Sequence, residues 1–149
     1  GDVIREETER RGLEPSPENM GNVMLTLRRD EGPAVVTERL VPKIESSGSN
    51  VVVVEGVRST AEVDALRRRY SVATVAVHAS PMTRYERLRE RGRSDDSKSW
   101  EEFVERDSRE LSVGIGNVIG LAEEMIVNEG SAEEMNRASE HIISKVTSE

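Results

Sequence analysis

The stretch Asn50-Val51-Val52-Val53-Val54-Glu55-Gly56-Val57-Arg58-Ser59 contains the longest fully apolar run of the chain, followed at once by a carboxylate, a glycine and an arginine. A short β-branched run bounded by turn residues predicts a strand buried on both faces, as in a parallel sheet. Outward from it, Thr60 to Tyr70 has helical spacing, Val72 to Val77 forms a second strand-like run, and Ser80-Pro81 opens another helix with proline at its favoured first position. Strand, helix, strand and helix with short connections predict an α/β domain with parallel strands. In such sheets ligands sit beyond the carboxyl ends of the strands, which places residues 55–59 and 78–80 at the active edge.

Towards the N terminus the pattern is helical. Asp2 can cap a helix carrying Val3, Ile4 and Leu13, which Gly12 and the Pro15-Ser16-Pro17 turn bring to an end. Asn19 to Arg29 places Met20, Val23, Met24 and Leu27 at helical spacing, and a further amphipathic stretch with Val35, Val36, Leu40 and Ile44 runs out at Ser46-Ser47-Gly48-Ser49. Towards the C terminus, Gly92 to Ser97 is polar, without an apolar anchor, and is expected to be mobile. A helix begins near Ser99, a last short strand spans Met125 to Val127, and Ser131 with Glu134 forms a capping box for a terminal helix.

Composition narrows the function classes. The 149 residues include 21 basic and 29 acidic side chains, a formal charge of -8. That balance and the presence of only Tyr70, Tyr85, Trp100 and Phe103 as aromatics argue against a nucleic-acid partner, which needs clustered cations and stacking rings. The absence of cysteine excludes disulfides, thiolate zinc sites and a cysteine nucleophile. No run is long enough to span a bilayer and no signal-peptide core opens the chain, so a cytoplasmic protein without a membrane partner is expected. Of the basic residues only Lys43, Lys98 and Lys145 are lysine. Arginine grips phosphate oxygens two at a time, so the bias fits a phosphate-binding role as well as it fits a genome-wide composition bias. His78 at a strand end is read as structural, and two isolated histidines, His78 and His141, argue against a histidine metal site.

Several clusters share arginine or a strand end: Gly1-Asp2-Val3-Ile4-Arg5, Glu55-Gly56-Val57-Arg58, Arg91-Gly92-Arg93-Ser94-Asp95-Asp96 followed by Arg106-Asp107, and Asn128-Glu129-Gly130-Ser131. Together they resemble the nucleoside monophosphate kinase branch of the P-loop kinases. With Arg84-Tyr85-Glu86-Arg87-Leu88, Arg109-Glu110-Leu111 and Gly114-Ile115-Gly116-Asn117-Val118-Ile119 added, the chain is more narrowly similar to the archaeal adenylate-kinase-related, dephospho-coenzyme-A-kinase-like family. The resemblance covers nearly the whole chain.

The resemblance implies a parallel-sheet, three-layer P-loop kinase-like fold in a single domain over 1–149. Residues 1–48 would form a helical acceptor-binding part, 92–99 a lid, and 49–91 with 100–149 the α/β core. It implies that Arg5 and Arg58, with Asp2 and Gly56, hold the acceptor, although Asp2 more readily caps its own helix. Arg93 and Arg106 would neutralise the transferring phosphoryl group, with Asp95 and Asp96 of the lid positioning them. Asn128 and Gly130 would lie at the donor base, and Glu55 near Mg²⁺. Arg84, Arg87, Arg89 and Arg91 are read as a solvated charge run.

The sequence departs from the family at one place: it contains no glycine-x-x-x-x-glycine-lysine-serine/threonine loop, which would hold the donor phosphates and Mg²⁺. The expectation is therefore a kinase-like domain short by about 30 residues, roughly one strand–loop–helix unit, or one whose gap a partner chain fills; a homodimer is left open. In complete form such a protein would use ATP and Mg²⁺ to phosphorylate a small phosphorylated acceptor, of nucleotide or dephospho-coenzyme A type, while these 149 residues alone would be inactive. The competing expectation is a non-catalytic nucleotide-binding or regulatory protein.

Overall fold

A computed structural model of the protein describes residues 1–93 and 96–147, a mixed α/β chain that is mostly helical. Helix α1 (Asp2–Arg10) starts at Gly1 without a side-chain cap. Asp2 therefore does not cap it: one residue inside the helix, its carboxylate instead lies favourably at the positive end of the helix dipole. Helix α2 (Pro17–Glu31) has Pro17 in its first turn, with the Ser16 hydroxyl accepting the Asn19 N–H, and it stops at Gly32, whose φ of 104° suits glycine. The third helical stretch divides into α3 (Val35–Glu38) and α4 (Val41–Ser46). Pro42 explains the break, because it has no N–H to continue a helix and is at home in the first turn of a new one.

Ile4 of α1, Met20, Val23 and Leu27 of α2, and Val35 of α3 form the principal hydrophobic cluster. Ions staple the same helices. The buried Glu7 carboxylate accepts hydrogen bonds from Arg10 (2.7 and 2.8 Å), Arg11 (2.7 Å) and Arg39 (2.9 Å), and Arg39 also reaches Glu31 at 2.8 Å. The Arg10 hydrogen bonds, seconded by Arg11 and Arg39, hold the Glu7 carboxyl at about 2, well below the ordinary 4.5. A carboxyl depressed on folding stabilises the fold fully above its unfolded value and loses that contribution as pH falls towards the folded one. Urea unfolding followed between pH 6 and 2 should therefore show stability falling below about pH 4.5, with a shallower fall in Glu7→Gln. At pH 7 that variant should be less stable by about 2 kcal/mol, below the usual cost of breaking a buried pair because the arginines are partly solvated. A pH profile identical to that of the unaltered chain would remove Glu7 from this role.

Helix α5 (Thr60–Arg67) opens with a complete capping box between Ser59 and Glu62. Strand β1 (Val75–His78) leads through the Ser80 cap into α6 (Pro81–Arg91), as the Ser-Pro pair predicts. Helix α7 (Trp100–Val113) is capped by Ser99 and ends at Gly114, where φ is 116°. Helix α8 (Ile115–Gly120), strand β2 (Glu124–Val127) and helix α9 (Ala132–Thr147) complete the order. The Ser131–Glu134 capping box is present at the start of α9.

The sheet among the described residues consists of β1 and β2, paired in parallel from Val75↔Glu124 to His78↔Val127. Its parallel sense agrees with expectation, but the Val51 to Val54 run forms no ladder and β1 begins three residues later than the run at Val72 suggests. A β-branched run becomes a strand only where a neighbour supplies donors and acceptors. Here β1 pairs with β2 instead, and Val51 and Val53 stay 58% and 77% exposed. Val75, Val77, Met125 and Val127 are exposed as well, while Ala76 and Ile126 are buried. Helices α8 and α9 pack beside the pair. An aromatic cluster lies at α6 and α7, where Tyr85, Trp100 and Phe103 meet with ring centroids 5.2–5.6 Å apart. No helix of the described residues is long and apolar enough to cross a membrane.

Candidate functional site: an arginine-lined cleft

The turn after the valine run is fixed by Glu62. Its carboxylate accepts the backbone N–H groups of Arg58 (2.8 Å) and Ser59 (3.0 Å), and its other oxygen accepts from Arg28 at 3.1 Å. Gly56 has φ of 76°, and a Cβ there would lie 3.0 Å from the Arg58 guanidinium, which donates to the Gly56 carbonyl at 2.7 Å. Glycine is thus required both by the backbone and by the close approach of the side chain.

From this turn Arg58 points into a cleft bounded by Gly1 and Ile4 of the α1 end, Met20 and Met24 of α2, and Arg106, Arg109 and Glu110 of α7. Its enclosed volume of about 80 Å³ falls well short of the roughly 300 Å³ at which small-molecule pockets begin, so a compact group fits inside and a larger ligand would extend outward. Glu110 accepts from Arg58 at 3.2 Å and stands 3.5 Å from Arg106. Arg109 has no hydrogen-bonding or ionic partner for its guanidinium among the described residues; it lies against the α2 backbone at Gly21. One side of the cleft is therefore apolar, and the other sets three guanidinium groups against one carboxylate.

Asp96 links this cleft to the 92–99 segment. It is buried, accepts from Arg91 and from the Arg93 backbone N–H at 2.9 Å, and lies 3.8 Å from Arg106. Burial opposes its ionisation, but the Arg91 and Arg93 hydrogen bonds outweigh that and hold the carboxyl below the usual range. The segment has no apolar anchor, as its sequence indicates; its anchor is this buried carboxylate.

Of the residues singled out in the sequence, Arg58 and Arg106 meet in the cleft, Gly56 shapes its turn, and Asp96 contacts Arg106. Arg5 is half-buried outside the lining, and Asp2, Glu55 and the Arg93 side chain are exposed. Asp95 lies outside the described residues. Asn128 and Gly130 line a separate hollow with Ile126, Ser131, Glu134 and Met135, and the Arg87 guanidinium donates to both their carbonyls, at 2.7 and 2.9 Å. Arg84 forms a bidentate pair with Asp107 and Arg91 one with Asp96, so the run expected to be solvated is largely engaged in ties between elements. Arg89 stands over the Tyr85 ring at 5.6 Å. Groups of three or more residues able to hold a metal ion are absent among the described residues.

Arg109, Glu110 and Glu129 fall within motifs the sequence singles out, but sequence reasoning assigns them no role. The first two follow Arg106 by three and four positions, the spacing that brings side chains onto one helical face, so the periodicity of α7 held the signal. Glu129 caps α6 from across the sheet end, accepting from the Thr83 hydroxyl at 2.7 Å and from the Ser80 N–H, and only the pairing of β1 with β2 brings it there.

Fold and site define a mostly helical α/β protein with an arginine-lined cleft between its helical N-terminal part and α7. No protein-family model matches the chain. It is, however, 48% identical over 147 residues to a UPF0200 protein of Hyperthermus butylicus, an alignment covering 99% of this chain and 79% of that protein. It is 46% identical to a UPF0200 protein of Pyrococcus abyssi (98% and 81% covered) and 44% identical to one of Methanocaldococcus jannaschii (98% and 75% covered). The chain belongs to the UPF0200 family, with close homologues in archaea. Those names assign no activity.

Proposed function

We propose that the chain is a kinase-like domain carrying the acceptor site of an ATP-dependent phosphotransferase related to the nucleoside monophosphate kinases, acting on a small phosphorylated acceptor of nucleotide or dephospho-coenzyme A type. The observation that carries this reading is the convergence of Arg58, Arg106 and Arg109 on one cleft beside a single carboxylate, Glu110. A phosphate group competes with Glu110 for two of these guanidiniums. Its three oxygens can accept more bonds than a carboxylate, and bidentate contacts orient as well as bind it. The apolar side, Ile4, Met20 and Met24, suits the less polar remainder of the acceptor. Arg106, joined to the 92–99 segment through Asp96, would neutralise charge on a transferring group, and Arg93 is tied to the same Asp96 carboxylate through its backbone N–H.

The residues present do not provide for ATP and Mg²⁺. The 149 residues contain no phosphate-binding loop of the kinase form, and the described residues hold no cluster of metal-binding side chains, Glu55 being exposed and alone. No step is therefore routed through either. The reading requires a donor site outside these residues, and the same cleft in a chain without one would serve a non-catalytic nucleotide-binding protein.

Calorimetric titration tests the acceptor site directly. Adenosine monophosphate and dephospho-coenzyme A, as representative probes, should compete for one site, with adenosine binding far more weakly. Arg58→Ala should weaken binding of the phosphorylated probe by about 10- to 100-fold, the scale of a hydrogen bond to a charged group. Equal affinity for adenosine and its monophosphate, or an unchanged affinity in Arg58→Ala, would contradict the assignment.

A further inference from the structure

Arg109 is placed unlike its neighbours. Arg58 and Arg106 are both drawn to Glu110, and Arg106 also to Asp96, so their charges are partly neutralised within the protein. Arg109 lines the same cleft, half-buried, and its guanidinium has neither an acidic partner nor a hydrogen-bond acceptor among the described residues. No Arg109 nitrogen is among the buried polar atoms left without a partner, so water reaches this guanidinium, and its N–H donors are open to the acceptor oxygens of a ligand entering the cleft.

The seat of Arg109 is equally specific. Gly21 lies inside α2, where glycine is the poorest helix former after proline and alanine the best. A Cβ at that position would fall about 3.0 Å from the Arg109 Cζ and closer still to one of its terminal nitrogens. The glycine therefore leaves a notch in the α2 surface that the guanidinium fills. Because the clashing group is the far end of a flexible side chain, filling the notch would displace Arg109 without disturbing either helix.

We infer that Arg109, seated in the Gly21 notch, is the anchoring cation for the phosphate of the acceptor, and that Arg58 and Arg106 join it by exchanging Glu110 for the anion. This rests on the acceptor-site reading above and adds to it a residue and an order of engagement. The ligand class is a phosphate monoester whose remaining part is small or protrudes from the cleft past Ile4 and Met24.

The test is calorimetric binding of adenosine monophosphate, with adenosine as control, to the full chain and to Arg109→Ala, Gly21→Ala, the double variant and Arg58→Ala, with thermal unfolding of each. Arg109→Ala should weaken binding at least tenfold with its Tm unchanged. Gly21→Ala should weaken binding to a similar degree while its Tm stays level or rises, and the double variant should be no weaker than Arg109→Ala alone, since both changes remove one interaction. If Arg109→Ala lowers Tm as well as affinity, Gly21→Ala decides the matter. Unchanged affinity in Arg109→Ala or Gly21→Ala, with binding lost in Arg58→Ala, would overturn this inference and leave the acceptor site standing. Failure of the unaltered chain to distinguish adenosine monophosphate from adenosine would overturn both.

Discussion

Replacing Glu62 with alanine is expected to destabilise the protein by about 4 kcal/mol, the largest loss predicted for a single side chain and a large part of the roughly 5–15 kcal/mol that holds a domain of this kind together. Three effects combine. The side chain is 1% exposed and closes the capping box of α5, so its removal uncaps that helix. It also leaves the N–H groups of Arg58 and Ser59 without their acceptor. Above all, it strands the buried Arg28 guanidinium, whose Nε and one terminal nitrogen already lack partners among the described residues, so that an uncompensated charge would remain in the interior. Urea denaturation should show a midpoint lower by about 2 M, given a slope near 2 kcal/mol per molar. Replacing Arg28 with methionine in the same chain should recover part of the loss, because the stranded charge is then gone. A loss below about 1 kcal/mol in Glu62→Ala would show that the Arg28–Glu62 pair is not the keystone described here. Because Glu62 also fixes the backbone from which Arg58 projects, the variant should bind phosphorylated acceptors less well even under conditions where it remains folded.

The staple at Glu62 and the staple at Glu7 share a logic. Each buried carboxylate gathers arginines from different elements: Glu7 joins α1 to the residue after α3, and Glu62 joins α5 to α2. Much of the arginine excess is therefore structural. What distinguishes the cleft is that its guanidiniums outnumber the carboxylates that face them, and that the Arg109 guanidinium has no partner among the described residues.

Local chemistry in the sequence was sufficient for features that local chemistry determines. Ser80 before Pro81, Ser99 before α7 and Ser131 with Glu134 mark helix starts because a cap involves residues three or four positions apart. The valine run at Val51 was misleading for the opposite reason: whether β-branched residues form a strand depends on a partner far away in the chain, and the run itself does not say whether that partner is at hand. The candidate site divides in the same way. Arg58 and Arg106 stood out beside a strand-like run and on a helix after a polar segment, and the structure brings them together at Glu110. Arg109 and Gly21 did not stand out as a pair, because nothing in either neighbourhood indicates that α7 lies across α2 at that point. The position of Asp2 near a helix start suggests a capping role, but the helix begins one residue earlier than that role requires.

The exposed valines at 51 and 53, with Val75, Val77, Met125 and Val127 on the two-stranded sheet, are the other feature that the kinase-like reading bears on. Apolar strand surface of this kind invites pairing or cover. The chain spans 79–81% of the Hyperthermus and Pyrococcus relatives to which it aligns almost end to end.

The most direct test of the account is phosphoryl transfer measured on the polypeptide read from the genome in frame through the segment upstream of Gly1. With labelled ATP and Mg²⁺, and nucleoside monophosphates and dephospho-coenzyme A offered in turn, the account predicts transfer of the terminal phosphoryl group to at least one acceptor. It also predicts none from residues 1–149 alone, and a rate reduced at least tenfold by Arg106→Ala, the scale of losing one preorganised cation at the transferring group. An upstream segment without a glycine-rich loop and its lysine, or a polypeptide that binds ATP and the monophosphate yet transfers to none of the acceptors, would contradict the assignment as a phosphotransferase and leave the cleft as the site of a binding protein.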